Sequence, residues 1–190
     1  MRESETGNVA GVGPADEIVS LVDAAGAVVG SERRSEVRRR NLLHASTAVL
    51  VRHPDGRIYV SRRSPDKDWA PSAYDAAAGG MVRHGEPVEE SARRELAEEL
   101  GISDAPLRLL RVERYEDDTL RCVEHCFETT YDGVVTHADG EVVWGDWMTL
   151  PDLGRSLHDP GWTFVPDTRA LLGVLCRERV HDYGLLALRG

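Results

Sequence analysis

The stretch GMVRHGEPVEESARRELAEELGI, residues 80–102, decides the fold. Its second half is rich in Glu, Ala, Arg and Leu, which all favour helix. Pro87 is expected at the first helical position, where its missing N–H costs no hydrogen bond, and Gly101 is expected to end the helix. Apolar residues recur at every fourth position, at Val88, Ala92, Leu96 and Leu100. This spacing predicts a loop followed by a helix with one buried stripe.

The opposite face of the predicted helix is acidic. Glu95 is followed three and four positions later by Glu98 and Glu99, so their carboxylates lie on one patch. Like charges at this spacing cost a helix roughly 0.2–0.5 kcal/mol per pair. Mg²⁺ prefers oxygen ligands, usually a few carboxylates together with water and substrate phosphates. The pattern therefore favours a divalent cation site, while a solvated acidic face is the structural alternative.

The same stretch resembles the Nudix box, whose pattern is G-x5-E-x7-R-E-U-x-E-E-x-G-U with U a bulky aliphatic residue. Every fixed position matches, at Gly80, Glu86, Arg94, Glu95, Leu96, Glu98, Glu99, Gly101 and Ile102. The resemblance implies a mixed α/β (α+β) fold, an α/β/α sandwich around a mixed sheet. It also implies a hydrolase that uses Mg²⁺ or Mn²⁺ to cleave a diphosphate linkage. Strands before and after one central helix, with a last helix near the end, suit such a sandwich.

Within the box, the resemblance implies the metal ligands. Glu98 and Glu99 are expected to be the principal ligands, and the backbone carbonyl of Gly80 is expected to add an oxygen. Glu95 is expected to be either a ligand or the base that acts on the attacking water. The number of metal ions stays open.

Further acids and one arginine are candidates around this core. Arg94 is expected to orient neighbouring carboxylates, although an ordinary surface ion pair has the same spacing. Glu86 is expected to share that role and is also a candidate metal ligand. Glu141 lies just before a predicted strand and is a candidate general base, with a solvent-facing strand end as the alternative. Glu124 is another acid that can point into the cleft from a strand.

From residue 17 to about residue 183, the chain resembles the branch of the superfamily that includes isopentenyl-diphosphate isomerase. The segments EIVSLVD, LLHAS and SRRSPDK carry this resemblance. It places His44 where that enzyme has a metal-binding histidine, and it implies that Arg63 and Lys67 hold the substrate diphosphate. A hydrogen-bonded core histidine and a solvated strand edge are the structural alternatives.

Three positions disfavour isomerase chemistry. The isomerase uses a cysteine before the box, and the matching residue here is Gly79. Two further histidine ligands of the isomerase, besides the one matched by His44, are matched by Met81 and Val37. We therefore expect a hydrolase that acts on a small, nucleotide-derived diphosphate. An isomerase-like enzyme and a nucleotide-binding module without activity are the alternatives.

Length and composition limit the class of protein. A chain of 190 residues with 41% hydrophobic residues is large enough for one domain with its own core. A net charge of −10 argues against binding polymeric nucleic acid or an acidic membrane surface. The absence of a long apolar run and of a leader pattern, and three cysteines without framework spacing, favour a cytoplasmic protein. A zinc site at Cys122, His125 and Cys126 lacks a fourth ligand.

The rest of the chain is expected to be organised around one domain. The predicted segments are a flexible tail at 1–16, a domain at 17–183 that begins with a hairpin at 17–33, and a C-terminal tail at 184–190. The basic run at 33–40 is predicted to be a solvated connector, with phosphate steering as the weaker alternative. The loops at 64–75 and 158–166 are expected to set specificity, where Trp69 and Trp162 are candidates for base stacking. The hairpin can pair with another subunit, so a homodimer is possible.

Overall fold

The computed structural model describes residues 14–138 and 140–188. The predicted flexible tail at 1–16 therefore lies outside the described residues except for a 3-10 turn at Pro14–Asp16. The strands are β1 Ile18–Val22, β2 Val28–Arg33, β3 His44–Arg52, β4 Ile58–Arg63, β5 Tyr74–Asp75, β6 Ala77–Met81, β7 Arg108–Glu116, β8 Arg121–Thr130 and β9 Val142–Met148. The helices are α1 Arg34–Arg40, α2 Val88–Leu100, α3 Leu150–Ser156 and α4 Pro166–Arg177, and a second 3-10 helix spans Tyr183–Leu186.

The strands form one mixed sheet with β3 at its centre. β3 pairs in parallel with β8 on one side and antiparallel with β6 on the other. The ends of β3 also pair with β1 and β4, β8 pairs with β7, and β4 pairs with β5 and β9. The predicted N-terminal hairpin is present as β1–β2 and extends the sheet at one edge. The predicted mixed fold class is confirmed.

Both faces of β3 are buried, and its second half carries the continuous apolar run Ala48, Val49, Leu50 and Val51. Ala48 and Leu50 pack with α3 and α4, whereas Val49 and Val51 pack with α2. Alternate residues of one strand therefore join two separate cores. The sheet lies between two helical layers, as predicted, and the layer with α2 carries the box acids.

The predicted amphipathic helix is α2. Ala92, Leu96 and Leu100 are buried against the sheet. Pro87 is the N-cap and keeps an extended backbone, so the helix begins one residue later than predicted. Gly101 adopts a φ of 68°, a left-handed conformation that glycine accepts without strain, and it ends the helix.

The C-terminal segment departs from the prediction of a tail beginning at residue 184. The 3-10 helix buries Tyr183 and Leu186 in the core with α3 and α4. The hydroxyl of Tyr183 donates a hydrogen bond to Glu128 at 2.8 Å, and the guanidinium of Arg52 lies 5.0 Å from the centre of the tyrosine ring. The core therefore extends at least to Leu186. The sequence did not predict this, because a four-residue element is too short to have a detectable periodicity.

The basic run also departs from its prediction as a solvated connector. It forms α1, which buries Val37 between the hairpin and the sheet. Arg39 points outward and pairs with Glu36, but Arg34 and Arg38 line a cleft. The prediction was wrong for these two arginines, because a run of like charges does not reveal which side chains a helix turns inward.

Two predictions about the surroundings of the protein remain predictions. Among the described residues, no helix is both long enough and apolar enough to cross a membrane. β2 is at the end of the strand order and exposes Val28 and Val29. The homodimer and the cytoplasmic location stay predictions. Sedimentation of the purified chain would measure its oligomeric state.

Candidate active site

A cleft opens where the glycines of β6 meet α2, and α1, β3, β8 and the start of α4 also contribute to its wall. The sequence predicted catalytic, metal-binding or substrate-binding roles for ten residues, and eight of them line this cleft: His44, Arg63, Lys67, Gly80, Arg94, Glu95, Glu98 and Glu141. The remaining two, Glu86 and Glu99, contact residues of this wall. The fold therefore brings together candidates that are separated by up to about a hundred positions in the chain.

Two glycines of β6 let α2 lie close to the sheet. A Cβ at Gly80 would be 2.6 Å from the nearest carboxylate oxygen of Glu95, so the acid occupies the space that a side chain would need. The N–H of Gly79 donates to Glu99 Oε2 at 3.2 Å. A Cβ at Gly79 would lie 2.0 Å from the carbonyl oxygen of Thr47. The backbone contact therefore requires glycine at Gly79, whereas a side chain at Gly80 would displace the carboxylate of Glu95.

Arg94 connects the acids of the box. Its Nε and Nη2 donate to the two carboxylate oxygens of Glu86, at 2.9 and 3.0 Å. Its Nη1 donates to Glu95 at 2.6 Å and to Glu98 at 3.1 Å. Burial lowers the pKa of Arg94, but the hydrogen bonds to Glu86 and Glu95 outweigh burial and raise it. Arg94 thus fixes three carboxylates, and both oxygens of Glu86 are occupied by this pair.

Two of the box carboxylates are buried. Burial raises the pKa of Glu99 to about 8, with Lys67 opposing the shift and Glu95 adding to it. Burial also raises the pKa of Glu95, although Arg94 opposes this shift. The side chain of Glu98 is instead 47% exposed. Nearby positive charge would favour the ionised forms of Glu95 and Glu99.

This donor set fits a hard divalent cation. Glu95 and Glu98 share contact with one nitrogen of Arg94, and Glu95 also touches Gly80. Carboxylate oxygens are the ligands that Mg²⁺ and Mn²⁺ prefer, and a bound cation offsets the cost of burying ionised acids. The residues on α2 can therefore hold the metal that the sequence predicted.

Lys67 joins the box to a later strand. Its Nζ contacts Glu141 and lies 3.8 Å from Glu99. The carbonyl of Glu141 accepts a hydrogen bond from the N–H of Ser64 at 2.8 Å, which fixes the start of β9 beside the loop after β4. The candidate base Glu141 therefore lies in the cleft, and its carboxylate is paired with an ammonium group.

Arg63 and His44 enter the cleft from β4 and β3. Arg63 is buried, and its Nη2 donates to the carbonyl of Trp69 at 3.2 Å. His44 is also buried, and its Nδ1 donates to the carbonyl of Leu42 at 2.8 Å. Burial lowers the pKa of His44 to about 4, and the positive charge of Arg38 adds to this shift. The imidazole is therefore neutral at pH 7.

A second acidic cluster lies deeper in the cleft. Ligand atoms of Cys122, Glu124 and Asp167 are within 4.8 Å of one another. Burial raises the pKa of Glu124, and it raises the pKa of Asp167 to about 7 with a contribution from Asp75. Glu124, which the sequence left open, therefore lines the cleft. The zinc set with His125 does not form, because strand alternation turns His125 to the opposite face of β8 from Cys122.

Among the residues that line the cleft, sequence reasoning assigned no site role to Asp75 and Asp167, and only the weaker alternative of phosphate steering to Arg34 and Arg38. Asp167 follows a proline at a predicted helix start, where acids are common because they stabilise helix N-termini. Nothing in the local sequence separates that role from a place in a site. The two arginines had a weak signal, since residues four apart share one face of a helix.

The two tryptophans predicted as candidates for base stacking differ. Trp69 lines the cleft, with the guanidinium groups of Arg38 and Arg63 at 5.1 and 5.8 Å from its ring centre. Trp162 stacks on Tyr74, with the ring centres 4.1 Å apart, and packs against the core with α3 and α4. The structure therefore gives Trp162 a packing role.

Comparison with known proteins agrees with this geometry. The family model described as "NUDIX domain" matches residues 42–168. A Nudix hydrolase of Rhodococcus erythropolis, described as uncharacterized, is 44% identical over 177 residues, which cover 88% of this chain and 96% of the relative. The Nudix hydrolase YfcD of Escherichia coli K12, also described as uncharacterized, is 32% identical over 166 residues, covering 87% and 90%.

Solved structures agree as well. The crystal structure of DR0079 from Deinococcus radiodurans superposes with a TM-score of 0.71 at 28% identity, and the match covers 82% of this chain and 96% of that chain. The MutT protein of Methanosarcina mazei shares the fold, with a TM-score of 0.60 at 22% identity. Fold and box together define a Nudix domain with a complete set of box acids. The chain belongs to the Nudix family, and it is a Nudix hydrolase that acts on a small molecule.

Proposed function

We propose that this Nudix hydrolase cleaves the diphosphate linkage of a small, nucleotide-derived molecule with the help of Mg²⁺ or Mn²⁺. The observation that carries the proposal is the cleft in which the acids of α2 meet Arg63 and Lys67. Acids that can hold a cation and cations that can hold phosphate face one another across a short distance, since Lys67 lies 3.8 Å from Glu99. Diphosphate hydrolysis needs both kinds of group.

The roles of the acids follow from their contacts. Glu98, Glu99 and Glu95 would hold the cation, with the carbonyl of Gly80 as a further ligand. When bound, such a cation neutralises phosphate charge and lowers the pKa of a bound water. Arg94 keeps Glu95 and Glu98 in place through the hydrogen bonds of one nitrogen. These contacts support an orienting role for Arg94, and Glu86 anchors Arg94 from the other side.

Two glutamates remain candidates for the base that takes a proton from the attacking water. Glu95 is buried beside Gly80, and burial raises its pKa, which favours proton uptake. Glu141 lies in the same cleft beside Lys67, which would need to release the carboxylate before it accepts a proton. Glu95 is likewise paired with a cation, Arg94, and comparing Glu95→Gln with Glu141→Gln in single-turnover experiments would separate the two.

Arg63 and Lys67 are proposed to bind the substrate diphosphate. A guanidinium group can donate two parallel hydrogen bonds to phosphate, and an ammonium group acts as a compact charge. The Nε of Arg63 is buried without a hydrogen-bond partner, so it has a donor to spare. His44 is neutral and lines the same cleft, where it can contact the substrate or a metal.

Hydrolysis is favoured over isomerisation by the surroundings of Gly79. The isomerase would need a cysteine there, but a Cβ would lie 2.0 Å from the carbonyl oxygen of Thr47. The N–H of Gly79 also donates to Glu99, one of the box acids. A cysteine would therefore require β3 and β6 to move apart.

A binding module without activity would not need every acid of the box, and this chain keeps them all.

A panel of nucleoside diphosphate derivatives and isopentenyl diphosphate, incubated with Mg²⁺ or Mn²⁺, tests the proposal. We expect metal-dependent release of phosphate or of a nucleoside monophosphate, and incorporation of oxygen from labelled water into one product phosphate. Formation of dimethylallyl diphosphate would instead identify an isomerase. Tight binding without any product would identify a binding module.

A further inference from the structure

One face of α1 points into the cleft. Arg34 and Arg38 are four residues apart, so they lie on the same side of the helix. Their side chains are 18% and 21% exposed, and both line the cleft beside Arg63. Arg39 lies on the other side, with 67% of its side chain exposed, and Glu36 accepts its hydrogen bonds. The helix thus separates two inward cations from an outward one.

Several N–H donors of the inward guanidinium groups lack hydrogen-bond partners. Within the described part of the chain, the Nε of Arg34, the Nε and Nη1 of Arg38 and the Nε of Arg63 are buried donors without a hydrogen bond. Asp68 is 3.5 Å from Arg34 and 3.9 Å from Arg38, which are loose ion pairs, and its own side chain is 49% exposed. Glu17 Oε2 lies 3.6 Å from Arg34 Nη1, beyond hydrogen-bond distance, while the other carboxylate oxygen of Glu17 accepts hydrogen bonds from Arg83.

The pKa of Arg38 also reflects this incomplete pairing. Burial lowers the pKa of Arg38, and the positive charges of Arg34 and Arg63 lower it further, while Asp68 opposes the shift. Burying charged groups without full pairing costs free energy. An anion placed between these three arginines would remove that cost, because each offers N–H donors that nothing else uses.

We propose that Arg34 and Arg38 bind a phosphoryl group of the substrate, together with Arg63, at the α1 side of the cleft. This inference rests on the proposed function and adds to it two residues that bind the substrate. A guanidinium fork matches the oxygens of a phosphoryl group, and several arginines together suit a group with more than one negative charge. With one phosphoryl group at the acids of α2 and another at α1, the substrate carries a diphosphate or a longer phosphate chain.

Asp68 is the acid that a bound phosphoryl group would displace from Arg34 and Arg38. It belongs to the loop after β4, and its carboxylate approaches both arginines. A phosphoryl group would take its place, because it bears more charge and more acceptor oxygens than one exposed carboxylate. Asp68 therefore competes with the substrate for Arg34 and Arg38.

The test is a calorimetric titration with methylenediphosphonate, a diphosphate analogue that water does not cleave, in the presence and absence of Mg²⁺. Arg38→Gln should bind it roughly tenfold to a hundredfold more weakly than the natural chain, the loss expected for charged hydrogen bonds. Arg39→Gln is the matched control on the outward face and should bind normally. Equal affinity of Arg38→Gln and the natural chain would overturn the proposal.

Two further variants separate binding from a structural role. Asp68→Asn should bind the analogue more tightly than the natural chain, because the competing carboxylate is gone. Arg38→Gln should unfold at the same temperature as the natural chain or a higher one, because a buried, incompletely paired charge is removed. Marked destabilisation of Arg38→Gln with unchanged affinity of Asp68→Asn would show that Arg38 serves the fold, and would refute the proposal.

The same measurements distinguish this inference from the proposed function. Binding of methylenediphosphonate that depends on Arg38, in a chain that hydrolyses no diphosphate in the panel, would refute the hydrolase proposal and leave the inference standing. Hydrolysis with an unchanged KM in Arg38→Gln would refute the inference alone. Methylphosphonate, with one phosphorus, should bind more weakly than the diphosphonate in the natural chain, and equal binding would contradict the stated substrate class.

Discussion

Arg94 contacts three of the carboxylates that define the box. One nitrogen serves Glu95 and Glu98, while the other two donors engage Glu86. A lysine in its place has a single ammonium group and could not make the paired contact with Glu86 and reach the other acids as well. The side chain at this position therefore matters for its planar shape as well as for its charge.

Glu98 allows a test at the residue scale that leaves the fold intact. We expect Glu98→Gln to lower kcat by roughly a hundredfold or more, the scale on which removing one electrostatic group slows an enzyme. Because the side chain is 47% exposed, the free energy of unfolding should change by less than about 0.5 kcal/mol. Turnover with Mg²⁺ and urea denaturation are the two measurements.

Glu89→Gln is the matched control for Glu98→Gln. Glu89 is on the same helix and pairs with Arg93 at 2.7 Å, on a surface that does not line the cleft. Its substitution should leave turnover unchanged. Normal turnover in Glu98→Gln would remove Glu98 from the metal site.

At the scale of elements, α2 could be predicted from its sequence and the C-terminal 3-10 helix could not. The apolar stripe of α2 repeats over thirteen residues, and a glycine in a left-handed conformation ends it. Tyr183–Leu186 has four residues, and only contact with α3 and α4 shows that it belongs to the core. Short elements depend on the surface that receives them.

Neighbouring leucines in this segment provide a matched pair. Leu186 is 2% exposed and Leu185 is 56% exposed. We expect Leu186→Ala to lower the free energy of unfolding by about 2–5 kcal/mol, because it leaves a cavity in the core. Leu185→Ala should change it by less than about 0.5 kcal/mol. Equal effects of the two substitutions on urea denaturation would show that the segment does not pack against the core.

At the scale of the whole molecule, folding gathers acids from separate elements into one cleft. Asp75 comes from β5, Glu99 from α2, Glu124 from β8 and Asp167 from α4. Burial raises the pKa of each of these acids. The protein therefore destabilises its own ionised acids where a cation and an anionic substrate are proposed to bind. Function, rather than stability, accounts for such an arrangement.

This arrangement predicts how stability depends on pH without metal. The folded-state pKa values of Glu99 and Asp167, about 8 and about 7, exceed their ordinary values of 4.5 and 3.8. The relevant window runs from pH 6.5, the ordinary pKa of His44, to pH 8, the raised pKa of Glu99. Within this window the folded state binds more protons than the unfolded chain. The free energy of unfolding should therefore fall as pH rises through this window, by about 1.4 kcal/mol per pH unit for each full proton.

His44 fixes the lower limit of that window. Its pKa falls from 6.5 to about 4 on folding, so below pH 6.5 its contribution to stability rises with pH and has the opposite sign. Urea denaturation in EDTA at several pH values between 6.5 and 8 measures the effect. Glu99→Gln should flatten the profile, and so should added Mn²⁺. Stability that increases with pH in EDTA would contradict the raised pKa values.

The sequence alone determined the family, the fold class, the position of α2 and the set of acids that this helix carries. These features are local: periodicity, capping glycine and residue spacing are all contained within residues 80–102. Tertiary structure decided which distant groups meet those acids. It turned Arg34 and Arg38 inward, placed Asp167 beside Cys122 and Glu124, and packed Leu186 into the core. Such contacts depend on how separate elements pack, and no pattern within a single element encodes the neighbour across the cleft.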